Sequence, residues 1–174
     1  MSPVEDRPVP ARCARIAACL VLSLAVLAAG GSSAQAKKRK HLWATVNVCD
    51  TQAHPNELGI RARMPGNGLK QRMYMRFVAQ YQDGGGVWHR VTDGGTSPWE
   101  YAGSAVFRYE ELGYTFTFDG LAPGEGYNMR GLVKFQWREK GKVVRRSHRL
   151  TSDGHATSRG DPKGYSAATC FVSG

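Results

Sequence analysis

Tyr114-Thr115-Phe116-Thr117-Phe118-Asp119 places an aromatic ring at every second position and a polar side chain at each position between. Successive side chains of an extended backbone point to opposite faces, so this stretch reads as a strand with one apolar and one wetted face. The alternation recurs along the chain. Met73, Met75, Phe77, Ala79 and Tyr81 share one face of a second strand, with Arg76, Gln80 and Gln82 opposite. Tyr127, Met129, Gly131, Val133, Phe135 and Trp137 line a third, whose other face shows Arg130, Lys134, Gln136 and Arg138. Further strands are expected at Leu42–Asp50, Leu58–Met64, Val87–Val91, Ala105–Glu110, Lys142–Thr151 and Ser166–Val172. Turn signals separate them: Pro65-Gly66-Asn67-Gly68, Asp83-Gly84-Gly85-Gly86, Asp93-Gly94-Gly95, Asp119-Gly120 and Lys140-Gly141. About nine short strands with one apolar face each predict an all-β domain over residues 42–174, a sandwich of two antiparallel sheets. A small barrel is the alternative closure.

The chain has 174 residues, 41% of them hydrophobic, 22% charged, and a formal net charge of +10. These values exclude a large multidomain enzyme, a polytopic membrane protein and a disordered chain. Arg12 and Arg15 precede an apolar run from Ile16 to Ala29, and Ala34-Gln35-Ala36 follows. A basic segment, a short apolar core and an A-x-A site predict a signal peptide over residues 1–36. Its product would be a protein secreted to the cell envelope or beyond. The bias toward Ala, Arg and Gly points to a bacterial source. Lys37-Lys38-Arg39-Lys40, in a basic tail over 37–41, resists translocation and keeps a retained N-terminal anchor as the alternative. Cleavage after Ala36 would leave 138 residues and a charge of +9, because Arg7, Arg12 and Arg15 depart with Glu5 and Asp6.

Cys13 and Cys19 would also depart, leaving Cys49 and Cys170. Two cysteines are too few for a zinc site, and their separation is unlike a CxxC redox pair. In an oxidising compartment they are expected to pair. The bond would close a loop of about 120 residues, worth nominally 4–5 kcal/mol in the chain-entropy account.

Leu121-Ala122-Pro123-Gly124-Glu125-Gly126-Tyr127-Asn128-Met129-Arg130 resembles the L-x-P-G-x-x-Y-x-[apolar]-R stretch of fibronectin type III domains. The resemblance covers ten residues and implies an immunoglobulin-like sandwich. It implies a tyrosine corner, with Leu121 plugging the core end and the Tyr127 hydroxyl bonded to upstream backbone. It departs from that pattern at Glu125, where Thr is usual, and in the extra terminal strand that holds Cys170. Such domains are adhesive or spacer modules, so the resemblance implies no catalytic residues.

Charge is concentrated. Residues 130–149 carry Arg130, Lys134, Arg138, Lys140, Lys142, Arg145, Arg146 and Arg149 against Glu139, a net +7, while residues 90–126 sum to −4. This basic hairpin is a candidate site for anionic polymer: teichoic acid, acidic polysaccharide or anionic headgroups. The competing reading is that charge on an edge strand prevents sheet-to-sheet aggregation. Nucleic acid is not expected as partner, since no nucleic-acid motif is present. Trp88, Trp99 and Tyr101 stand beside glycine-rich loops and form a candidate aromatic platform, with Ser97–Tyr101 read as loop. The alternative places Trp99 as a lid on the core.

Catalytic signals are weak. His54, Asp50 and Glu57 share a loop region, but H-x-x-E spacing beside Pro55 is common by chance; His148 lies among arginines, and His155 reads as a solvated loop residue. G-x-S-x-G, H-E-x-x-H and G-x-x-x-x-G-K are all missing. Arg159-Gly160-Asp161 reads as an accidental tripeptide in a Gly- and Ser-rich loop. The expectation is therefore a non-catalytic binding or structural module, without cofactor or metal, facing anionic envelope polymer or another extracellular protein. A small secreted hydrolase acting on wall polymer and a docking domain for another subunit are the alternatives.

Overall fold

The computed structural model describes residues 41–174, so the expected signal peptide, the expected cleavage site at Ala34 and Ala36, and Lys37–Lys40 lie outside it. Nine strands follow one another: β1 (Trp43–Thr51), β2 (His54–Pro65), β3 (Arg72–Gln82), β4 (Trp88–Arg90), β5 (Glu100–Ser104), β6 (Tyr109–Thr117), β7 (Gly126–Glu139), β8 (Lys142–Leu150) and β9 (Cys170–Ser173). All strand pairs are antiparallel. One sheet has the order β1-β2-β6 and the other β4-β3-β7-β8, with β5 also on β3 and β9 also on β7.

β3 and β7 are the centre of the larger sheet, paired without interruption from Arg72–Arg138 to Tyr81–Met129. Their apolar alternates meet those of the smaller sheet. Met73, Met75, Phe77, Val133, Phe135 and Trp137 pack against Ala44, Val46, Leu58, Ile60, Met64 and Phe116, all buried. Trp137 keeps its indole N–H satisfied by donating to the Pro65 carbonyl at 3.1 Å. Tyr114 and Phe118 pack beside Phe116, so the aromatic alternation does form one core-facing row.

Local chemistry sets the turns. The Asp83 carboxylate accepts from Gly85 and Val87 N–H at 2.9 and 2.8 Å, closing the β3–β4 connection. Lys140 and Gly141 both adopt positive φ, 46° and 80°, the geometry of a two-residue hairpin turn between β7 and β8. Cys49 and Cys170 are bonded with Cα atoms 5.5 Å apart, joining β1 of one sheet to β9 of the other.

Two expectations are corrected. Residues 105–108 form a turn rather than the start of a strand, because Asn67 and Gly68 donate to the Ala105 carbonyl and hold the chain there. Glu100 and Tyr101, read as loop, open β5: Tyr101 pairs with Tyr74 and Glu100 with Met75.

Candidate functional site

Directly paired residues of adjacent strands share a face. The partners of β3 and β7 therefore sort the basic residues. Gln136 opposes Arg146 and Lys134 opposes His148, on the face away from the core. Trp137 opposes Arg145 and Val133 opposes Arg149, on the core side. Arg145 accordingly lies over the Trp137 ring, 4.4 Å from its centroid. The hairpin expected to act as one basic surface is split between two faces by strand alternation. Lys140 and Lys142 sit at its turn.

The outer face gains from β3 what it loses from β8. Arg72 opposes Arg138, Tyr74 opposes Gln136, Arg76 opposes Lys134, and Gln80 opposes Arg130. Arg72, Arg76, Arg130, Lys134, Arg138 and Arg146 thus stand on one sheet face. Aromatic rings run between them. Arg138 lies 4.1 Å from Tyr74 and 5.4 Å from Trp99, Arg76 lies 5.0 Å from Trp99, Arg72 lies 4.6 Å from Tyr101, and Arg130 lies 4.1 Å from Trp88. All three residues of the expected aromatic platform are therefore on this face, each under a guanidinium.

Backbone hydrogen bonds put Trp99 there. Ser97 N–H donates to the Phe77 carbonyl and Phe77 N–H to Ser97 Oγ, both at 2.9 Å, stitching the segment before Trp99 to β3. Trp99 is half-buried on the outer face, so it does not close the end of the core. With Leu132, Lys134, Gln136, Arg146 and His148 it lines a groove of about 440 Å³.

Neutral amides orient the guanidinium groups. Arg130 Nε donates to Gln80 Oε1 and Arg138 Nε to Gln136 Oε1, each at 2.9 Å. Their terminal nitrogens have no partner among the described residues, and Arg76 Nε, shielded from solvent, has none either. Burial lowers the Arg130 pKa, yet a guanidinium stays charged at physiological pH. Such forks are arranged to donate hydrogen bonds to carboxylate or phosphate oxygens.

The smaller sheet provides the contrast. Arg61 and Arg63 lie over Trp43 at 4.8 and 5.3 Å, but Glu111 accepts from Arg61 Nη1 at 2.9 Å and from Arg63 Nε at 2.5 Å. That arginine–aromatic cluster has a carboxylate shared between its two arginines. Among the described residues, no carboxylate lies within ion-pair distance of any cation on the larger sheet's outer face.

The remaining candidates are dispersed. His54 Nδ1 contacts Glu57 Oε2 at 2.9 Å. Asp50 faces elsewhere, accepting from Asn56 N–H at 2.8 Å and Ser173 N–H at 2.9 Å. Burial alone would raise the Asp50 pKa, but these hydrogen bonds outweigh it and hold the carboxyl below its ordinary value. No group of three His, Cys, Asp or Glu side chains among the described residues is arranged to hold a metal. Asp161 of the Arg-Gly-Asp tripeptide is pinned to β1, donating its N–H to Asn47 and accepting from the Thr51 hydroxyl.

Tyr127, the residue expected to pin a tyrosine corner, is 37% exposed, and its ring packs edge-on against Tyr81 at 5.6 Å. Leu121 lies beside it on a cavity of about 260 Å³ shared with Phe118, Met129 and Val172. No family model, curated protein or solved structure matches the chain.

Proposed function

We propose that this is a secreted, non-catalytic module that binds a carboxylate- or phosphate-bearing envelope polymer through the outer face of its larger sheet. Its architecture, in this reading, is the immunoglobulin-like or fibronectin type III-like sandwich that the Leu121–Arg130 segment resembles. The observation that carries the proposal is the set of cations at 72, 76, 130, 134, 138 and 146 on one face, interleaved with Tyr74, Trp88, Trp99 and Tyr101 and, among the described residues, unpaired with acid.

Charge serving only to protect a sheet edge would belong on β8 and needs no rings beneath it. Here the guanidinium groups lie mainly on the two central strands. The aromatic rings hold them extended at low entropic cost. A polyanion held this way releases counterions and dissociates as salt screens the attraction beyond about 8–10 Å. The test is titration with polygalacturonate and with polyphosphate at increasing ionic strength. Affinity falling steeply with salt supports the reading; no binding to either polymer at low salt contradicts it.

A further inference from the structure

A second surface lies at one end of the domain, apart from the basic face. Register places several termini there together: Trp43 opposes Arg63, Pro65 opposes Tyr109, Arg72 opposes both Ser104 and Arg138, and Glu139 opposes Lys142. Loop 66–71 and turn 105–108 are locked to each other at this end. Gly66 N–H donates to Arg108 at 3.0 Å, Asn67 and Gly68 N–H donate to Ala105 at 2.9 and 2.8 Å, and Ala105 N–H donates to Gln71 at 2.8 Å. A Cβ on Gly66 would stand 1.8 Å from the Phe107 carbonyl oxygen, so only glycine permits this contact.

What this fixed tip presents is apolar. Leu69, Val106 and Phe107 are 54%, 51% and 62% exposed, at positions where turns ordinarily carry polar residues. Their surroundings are cationic: Lys70 and Arg108 belong to the same loops, and Lys140 and Lys142 to the neighbouring hairpin turn, whereas Glu110, Glu139 and Glu111, the last paired with Arg63, are the nearby acids. His41, the first described residue, also lies at this end, its ring stacked on Tyr109 at 5.2 Å.

We propose that this tip seats the domain on an anionic lipid surface, with Leu69, Val106 and Phe107 entering the headgroup region and the surrounding lysines and arginines contacting lipid phosphates. Exposed apolar side chains ringed by cations gain from both terms at an anionic bilayer, and the long basic side chains can stay at headgroup level while the tip enters. A neutral bilayer supplies only the first term. The seating is peripheral, and it is the same whether residues 16–29 are removed or kept.

The probe is flotation of the chain from Lys37 to Gly174 with vesicles of phosphatidylglycerol and phosphatidylcholine in equal parts, and with phosphatidylcholine alone. This segment contains every core residue and the disulfide, so it holds the whole described fold. Flotation is expected with the anionic vesicles and at least tenfold less with the neutral ones. Val106→Asp with Phe107→Asp is expected to cut anionic-vesicle binding at least tenfold while leaving the thermal midpoint unchanged. Val106→Ser with Phe107→Ser reports the same loss should the aspartates disturb folding. Arg76→Ala with Arg130→Ala, away from this end of β3 and β7, is expected to change flotation less than twofold. The proposal is overturned by absence of flotation with anionic vesicles, or by equal flotation of the tip variants. It is also overturned if the Arg76/Arg130 variant alone is lost from vesicles, which would make lipid another polyanion for the sheet face.

Discussion

Arg138 and Tyr74 stand on adjacent central strands with the guanidinium carbon 4.1 Å from the ring centroid, and the Arg138 Nε is held by Gln136. The ring and the amide fix the side chain without neutralising it. Rings of this kind should therefore act as supports for charge. Tyr74→Ala and Trp99→Ala are each expected to weaken polygalacturonate binding about 2- to 30-fold, from roughly 0.5–2 kcal/mol of lost stacking and preorganisation. Isothermal titration at low salt measures it. Unchanged affinity in both variants would mean that the rings take no part.

The disulfide joins the two sheets at the end opposite the apolar tip, across 121 residues of sequence. Cys49→Ala with Cys170→Ala should cost about 2–5 kcal/mol of unfolding free energy. Denaturant titration gives this number directly. Polymer affinity at low temperature should be retained, since neither sulfur lies near the basic face.

The His155 ring stacks on Trp43 with centroids 4.1 Å apart and planes 7° apart. Burial and the nearby charges of Arg61 and Arg63 lower its pKa, against smaller opposing effects of Asp153 and Glu111. In the unfolded chain the ring titrates near 6.5 and so binds a proton more readily than in the fold. Its contribution to stability is full above that pH and declines as pH falls through the unfolded value toward the folded one. The thermal midpoint should drop on acidification from pH 7 to 5, and drop less in His155→Phe. An equal drop would assign the sensitivity elsewhere, for instance to His41, whose pKa burial and Arg108 also lower.

Gly131 lies where β7 meets the smaller sheet, and a Cβ there would stand 2.5 Å from Ile60 Cδ1 and 2.8 Å from Thr151 Cγ2. Gly131→Ala is expected to destabilise the domain by about 1–3 kcal/mol through overpacking. A stabilised variant in thermal denaturation would contradict the packing described for this site.

Strand alternation made both halves of the basic face legible in the sequence: Arg76 opposite Phe77, and Lys134 and Arg138 opposite Phe135 and Trp137. The pairing of β3 with β7 was not legible. It joins residues about sixty positions apart, and period-two patterning carries no information about neighbours in a sheet. Charge counting along the chain therefore pointed to the contiguous β7–β8 hairpin. It could not register that Arg145 and Arg146, adjacent in sequence, must face opposite ways. β5 escaped because Glu100–Ser104 has little alternating hydrophobicity, and its strand conformation comes from the exposed edge of β3. The disulfide was legible, since so few cysteines follow Ala36.

The most direct test compares two double variants by polygalacturonate titration across a salt series. Arg76→Ala with Arg138→Ala removes charge from the outer face; Arg145→Ala with Arg149→Ala removes the same charge from the core side of β8. The first is expected to lose at least tenfold in affinity and to show a shallower salt dependence, while the second stays within about threefold of the parent. Equal losses in both, or a greater loss in the second, would contradict a binding site on the sheet face.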